Sequence, residues 1–373
     1  MTVPAAMQAL VTADVHTAKV QIVDTPKPDP SSEALIKVLA VTLNPTDWKH
    51  IELISPPGKI TGCDFTGEIV SLPSASKAPY KNLKVGDRVA GYVHGSYSGK
   101  GSFAEYITLE PELLVKVPDN VSSEVAASVG IGGSTAAQAL FAPDRLGLKL
   151  PDPASSSSNE LPPVDKSLGP VLIWSGSTSV GQWAIQLARS AGYYVITTAS
   201  PKNHDLVTSL GASEVYDYRD DATPDKISAA HPTLVRALDC ISENGTQQLV
   251  VRSLGKDVKE GEKAKIVVLL KPDKDAIALR QDVEIIHTLI YSALGHAFTY
   301  GRASFSQEQV DADKKNLAVF LSGDGIFTAL FAKGWVKGNK TVTLEGGLHG
   351  IMDGLKRLKE GLSAEKLAYT ISV

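Results

Sequence analysis

The chain has 373 residues, 43% of them hydrophobic and 21% charged, with a formal net charge of −4. That length asks for two hydrophobic cores, and the composition excludes a disordered or fibrous protein. Basic residues lie scattered among a slight excess of acids, so nothing marks a nucleic-acid partner, and no apolar run is long enough to span a bilayer. The first 16 residues lack the basic and apolar regions of a leader, so a cytoplasmic protein is expected. Two separated cysteines, Cys63 and Cys240, argue against a disulfide framework and point to a reducing compartment.

From residue 8 to about 118, short β-branched runs at 35–43, 67–72, 88–93, 103–108 and 114–117 alternate with Gly and Pro. That pattern predicts a compact, mostly antiparallel β domain. The small-residue stretch 123–142 predicts a closely packed helix at a domain junction, and the Pro- and Ser-rich 151–169 predicts a surface loop. Beyond 170 the texture becomes strand 171–174, helix 180–191, strand 193–199, helix 203–210, then strands at 214–216, 236–239 and 265–270. This α/β alternation predicts a doubly wound parallel sheet. The tail from about 305 mixes helix and strand and is expected to fold back on the first domain. The expected division is therefore 1–133 completed by 299–373, with 134–298 as the second domain.

The sharpest feature is VLIW at 171–174 followed by SGSTSVG and an apolar helical run. A strand, a glycine turn and a helix start in succession let backbone N–H groups face a pyrophosphate, with Gly176 and Gly181 permitting close approach. A P-loop would continue with Lys and Ser or Thr, whereas Gln182 and Trp183 follow here. After the next strand, an NAD enzyme places a carboxylate on the ribose 2′-hydroxyl. Here Ser200, Lys202 and Asn203 stand instead, a hydroxyl and a cation suited to a 2′-phosphate, so NADPH is the expected cofactor. The competing readings are that Lys202 is a solvated helix-start lysine and that Asp205 is the missing acid displaced.

The segments NPTDWK at 44–49, GCDFTGEI at 62–69, VGDRVAGY at 85–92, GSFAEYITL at 101–109, the SGSTSVG turn and DYRD at 217–220 occur in that order over nearly the whole chain. Together they resemble the medium-chain dehydrogenase/reductase superfamily, which implies a GroES-like β domain followed by a Rossmann domain. Zinc alcohol dehydrogenases of that superfamily carry a Cys near the NPTD position, a His-Glu pair near Cys63 and Asp64, and a four-cysteine lobe. This sequence has Asn44 and Pro45, then Cys63 and Asp64, and too few cysteines for the lobe, so a zinc-independent member with no metal is implied. GSTSVG, DWKH, GGSTAAQAL at 132–140 and the late stretch LEGGLHGIMDGLKRLKEGLSAEKLAYTI look like fungal trans-acting enoyl reductases. The loop at 151–169 also sits where such proteins often carry an insertion.

That resemblance implies NADPH-dependent reduction of an α,β-unsaturated polyketide thioester, presented on the acyl carrier domain of a partner polyketide synthase, in secondary-metabolite biosynthesis. Hydride addition to such a conjugated bond needs no metal, because hydrogen-bond donors can hold the enolate. The catalytic candidates it implies are Lys49, a possible proton donor, and Thr135; the alternatives are an exposed loop lysine and a helix cap. Carried over in the same way, Pro45, Thr46, Asp47 and Trp48 join the cofactor set, Ser177, Thr178, Ser179 and Val180 line the pyrophosphate, and Ser200, Lys202, Asn203 and Tyr218 surround the adenosine phosphate. Tyr218 has a core aromatic as its alternative. Leu269 and Leu270 flank the nicotinamide, with Ser363 and Ala364 closing it. Gly132, Thr135, Ala136, Ala139 and the run Ser292, Ala293, Leu294, Gly295 and His296 are the implied acyl-pocket residues, His296 departing from the acid expected there. A monomer that docks on its synthase is implied, a dimer through the Rossmann sheet edge being the alternative. A quinone or free enone reductase of the same fold competes with this reading, and so does a catalytically inactive scaffold relative. A hydrolase does not, for want of a G-x-S-x-G elbow or an H-E-x-x-H helix.

Overall fold

A computed structural model of the chain describes residues 3–14, 16–74, 82–97, 99–259, 261–301 and 303–371. The chain forms two compact units, Met1–Ile131 with Ala318–Ala332 and Gly338–Val373, and Gly132–Leu317 with Lys333–Lys337.

The first unit is built on a seven-stranded sheet. Strand Ala34–Thr42 is its centre, pairing antiparallel with Asp64–Ser71, with Tyr106–Leu109 and with Lys366–Thr370. The run ALIKVLAVT is buried at seven of its nine positions, as expected of a β-branched strand covered on both faces. Arg88–Tyr92 and Val115–Lys116 extend the sheet on one side, and Thr341–Leu344 joins on the other, parallel to Lys366–Thr370. Ala6–Thr12 and Ala18–Asp24 form a separate antiparallel pair. The antiparallel β expectation holds, with that one parallel pair added by the returning tail.

The sequence pattern did not predict helix Pro45–Leu53, which immediately follows the central strand. Pro45 at its first position supplies the preset φ of a helix start, and the Asp47 carboxylate accepts a 2.7 Å bond from the Asn44 N–H.

The second unit holds a six-stranded, wholly parallel sheet in the order Glu214–Tyr216, Tyr194–Thr198, Pro170–Trp174, Arg236–Asp239, Ala264–Val268, Val283–His287. The chain winds outward from Pro170–Trp174, then returns to Arg236–Asp239 on its other side. The order therefore reverses between those two strands, and ligands of such sheets bind beyond the carboxyl ends at this point. Val171, Leu172, Ile173, Val195 and Ile196 have no exposed surface, consistent with helices covering both faces.

Residues 299–317, expected with the first domain, cluster with the second unit. Helix Gln307–Ala318 lies there because Val310, Asp313 and Leu317 on one side are buried, and the Asp313 carboxylate accepts a 2.5 Å bond from the Ser292 hydroxyl. The stretch 123–142 is broken at Gly130, whose φ of −46° and ψ of −108° are not helical, into Ser123–Ala127 and Ser134–Phe141. The loop 151–169 has no strand, as expected, and the returning segment holds it: Lys333 Nζ donates to the Ser156 carbonyl at 2.7 Å and Trp335 Nε1 to that of Asn159 at 3.0 Å.

Candidate active site

In the second unit the segment after Pro170–Trp174 makes an abrupt turn. Ser175 adopts a φ of +65°, and its N–H donates to the Thr198 hydroxyl at 2.9 Å. Thr178 caps helix Ser179–Ser190, its hydroxyl donating to the Ser175 carbonyl at 2.9 Å and accepting from the Gly181 N–H at 3.1 Å. The two glycines meet a packing demand of their own. A Cβ on Gly176 would lie 2.1 Å from Thr197 Oγ1, and one on Gly181 2.5 Å from the Ser175 carbonyl oxygen. Both let the helix start approach the sheet. Ser177, Thr178, Ser179 and Val180 remain half-exposed over the carboxyl end of the strand. Such a helix start, capped and twelve residues long, suits a pyrophosphate.

Beside it, strand Tyr194–Thr198 leads within two residues to Ser200, whose hydroxyl accepts from Asn203 Nδ2 at 3.3 Å. Lys202 is exposed in the single 3-10 turn Pro201–Asn203, with Asp205 exposed in the helix that follows. Tyr218 is 47% exposed, so the core-aromatic alternative fails. The residues present fit a dinucleotide: a capped helix start at the switch point, and a hydroxyl, an amide and a free-standing cation at the end of the second strand.

On the other side of the switch point, sequence reasoning missed a turn after Arg236–Asp239. The buried Asp239 carboxylate accepts from the N–H groups of Ile241 at 3.0 Å and Ser242 at 2.9 Å and from the Thr246 hydroxyl at 2.7 Å. The Ser242 hydroxyl in turn accepts from the Leu269 N–H at 2.8 Å, fixing one of the two leucines expected at the nicotinamide. Leu269 is half-exposed and Leu270 exposed. An acid closing an apolar strand, followed by small polar residues, is the signal that would have found this turn.

Several of the expected acyl-pocket residues are enclosed within the second unit. Helix Ser134–Phe141 is buried at every position, Gly132 and Gly133 before it are buried, and it packs on helix Ser179–Ser190. Ala136 and Ala139, with no exposed surface, are core residues. Thr135 lies inside the helix, whose N-cap is Gly133, so the capping alternative is excluded. The Ser292 hydroxyl is occupied in a buried network: it accepts from Gln138 Nε2 at 3.2 Å and faces Asp313, while Gln138 Oε1 accepts from the Thr288 hydroxyl at 2.6 Å. Ala293 is also fully buried, leaving Leu294, Gly295 and the exposed His296 as the accessible part of that run.

In the first unit, helix Pro45–Leu53 divides its side chains between interior and surface. Pro45 is exposed, and Thr46, Trp48 and Lys49 are half-exposed. Lys49 Nζ lies 5.6 Å from the Trp48 ring centre, and Lys359 Nζ lies 5.1 Å from the same ring while paired to Glu52 at 2.6 Å. Lys49 is thus a helix residue, not a loop lysine. Asp47, expected among the cofactor residues, is instead 1% exposed and faces the interior; burial and the neighbouring Asp64 push its carboxyl up to about 7. His50 and His94 lie beneath the same helix, ring centres 5.2 Å apart, and burial holds them down at about 4 and about 2. Ser363 is exposed and Ala364 takes a φ of +59° in the bend before Lys366–Thr370.

A sequence profile described as the alcohol dehydrogenase GroES-like domain matches residues 30–119. A trans-enoyl reductase of Alternaria alternata is 34% identical over 95% of this chain and 96% of its own. Among solved structures, an alcohol dehydrogenase superfamily protein from Novosphingobium aromaticivorans superposes with a TM-score of 0.75 at 19% identity, covering 98% of this chain and 100% of that one. A mycobacterial protein solved in complex with NADPH superposes with a TM-score of 0.65 at 19% identity, over 98% of this chain and 99% of that one. These likenesses establish the GroES-like and Rossmann architecture read from the two sheets.

Proposed function

This chain belongs to the trans-enoyl reductases of the medium-chain dehydrogenase/reductase superfamily, and from that premise we propose that it reduces an α,β-unsaturated polyketide thioester with NADPH. The substrate is presented on the acyl carrier domain of a partner polyketide synthase, on which the reductase docks as a monomer in the cytoplasm. No helix among the described residues is long and apolar enough to cross a membrane.

The observation that carries the cofactor choice is the end of the second parallel strand, where Ser200, Lys202 and Asn203 stand and a carboxylate does not. The amides about Ser177, Thr178, Ser179 and Val180 hold the pyrophosphate; Lys202 and Ser200 meet the 2′-phosphate, with Asn203 and Tyr218 beside them. Leu269 and Leu270 offer an apolar wall to the nicotinamide. NADPH, when bound, supplies the hydride that adds to the β-carbon. The π pair of the double bond then moves toward the thioester carbonyl, and the resulting enolate needs a hydrogen-bond donor and, at its α-carbon, one proton. Thr135 is the candidate donor to the enolate oxygen and Lys49 the candidate source of the proton.

The test is NADPH oxidation with an enoyl-pantetheine thioester against oxidation with a simple quinone. The expected result is turnover of the thioester, little of the quinone, and about tenfold slower thioester turnover when NADH replaces NADPH at the same subsaturating concentration. Equal or better quinone turnover would remove the polyketide assignment.

A further inference from the structure

The first unit contains a fully buried ionic cluster that the reaction outlined above does not use. Lys366, 3% exposed, opens strand Lys366–Thr370. Its ammonium lies 3.1 Å from Asp64 Oδ2 and donates to Asn44 Oδ1. Asp64 has no exposed surface; it also accepts from the Thr42 hydroxyl at 2.8 Å and, through Oδ1, from the Ile131 N–H at 2.6 Å. Asp47 completes the group, bonded to the Asn44 N–H and to the Cys63 thiol. One cation therefore joins three chain segments: the tail strand, the start of strand Asp64–Ser71, and the N-cap of helix Pro45–Leu53.

A buried ammonium costs several kcal/mol in lost hydration, and a well-packed apolar side chain of similar size usually stabilises a fold as well or better. The cluster is thus a poor device for stability alone. It is well suited to geometry, because Asn44 and Asp47 define the first turn of the helix from which Thr46, Trp48 and Lys49 project.

We propose that Lys366 is a positioning residue, whose ammonium clamps Asn44 and Asp64 and thereby sets the direction in which helix 45–53 presents Thr46 and Lys49. The role in turnover rests on the reductase reading; the clamp itself does not.

The test compares Lys366→Met, Lys366→Arg and the double variant Lys366→Met with Asp64→Asn, which removes both charges of the ion pair and so leaves neither of them buried without its counter-charge. Amide exchange in helix 45–53 reads the clamp without reference to activity. It is expected to quicken by about tenfold in the double variant, the equivalent of about 1.4 kcal/mol, even where the melting temperature returns to that of the parent. In the enoyl-thioester assay, kcat of the double variant is expected to fall about tenfold while the NADPH dissociation constant changes less than about twofold. Arginine should restore both readouts in part. Parental exchange in helix 45–53 together with parental stability in the double variant would overturn the clamp. If Lys366→Met does not fold, the double variant alone decides. A parent that exchanges as expected yet reduces no enoyl thioester would refute the reductase reading and leave the clamp standing.

Discussion

Lys202 is the residue on which the proposed cofactor choice turns, because the neighbouring hydroxyl and amide accept a ribose hydroxyl as readily as a phosphate. An exposed ammonium meeting a phosphate gives a charge-assisted bond, attenuated here by solvent. Lys202→Ala is therefore expected to weaken NADPH binding by about tenfold, or about 1.4 kcal/mol, and to leave NADH binding unchanged. Fluorescence titration of both nucleotides checks this; an equal loss for the two would show that Lys202 serves something other than the 2′-phosphate. The place of Ser200 and Lys202 just beyond a strand was legible in the sequence, because the apolar run that precedes them marks the strand. Asp47 was not, since nothing local distinguishes an acid facing ligand from one turned inward to bond Asn44 and Cys63. Lys366 was hidden for the same reason, as a lone lysine opening an apolar run whose burial depends on a partner 302 positions away.

The strand–turn–helix element makes its own demand. With Gly176 pressed against Thr197 and Ile185, Gly176→Ala must displace the helix start, an overpacking that costs about 1–3 kcal/mol. It should lower the melting temperature and abolish measurable binding of both NADPH and NADH, unlike Lys202→Ala. Thr178→Val removes only the capping hydroxyl and should cost about 1 kcal/mol, with a smaller loss of nucleotide affinity. Retained NADPH binding in Gly176→Ala would show that the helix start does not hold the pyrophosphate. This element was readable because its periodicity changes from two to 3.6 within a few residues. Helix Pro45–Leu53 was missed because nine residues with little apolar patterning carry no such signal. Its formation rests on Pro45, the Asn44–Asp47 bond and the surroundings. The acyl-pocket alanines were misplaced for a related reason: a small-residue helix reads alike whether it borders a ligand or packs, as here, on helix Ser179–Ser190.

For the molecule as a whole, the buried groups beneath helix 45–53 shape its stability in mild acid. Unfolded, His50 and His94 take up protons as pH falls through 6.5, whereas folded they stay neutral down to about 4 and about 2. Their folded values are depressed, so the stability they contribute is present above 6.5 and is lost as pH falls toward the folded values. Asp47 acts in the opposite sense. Its folded value is raised to about 7 from 3.8, so the stability it contributes is full below 3.8 and is lost as pH rises through about 7. Between these limits the unfolded chain gains two imidazole protons while the folded chain holds one extra on Asp47, a net difference of one. One proton corresponds to about 1.4 kcal/mol per pH unit, so these three groups together make stability fall by that amount for each unit of acidification. Substituting His50→Gln removes one of the two imidazoles and should flatten this part of the dependence, whereas Asp47→Asn should steepen it to about twice the parental slope. Urea midpoints at about pH 5 and about pH 6 measure the difference, and every other titrating group is common to parent and variants, so it cancels. Parallel lines for parent and His50→Gln would mean that the imidazole takes up its proton as freely in the folded protein as in the unfolded one, and that the space under helix 45–53 is open to water.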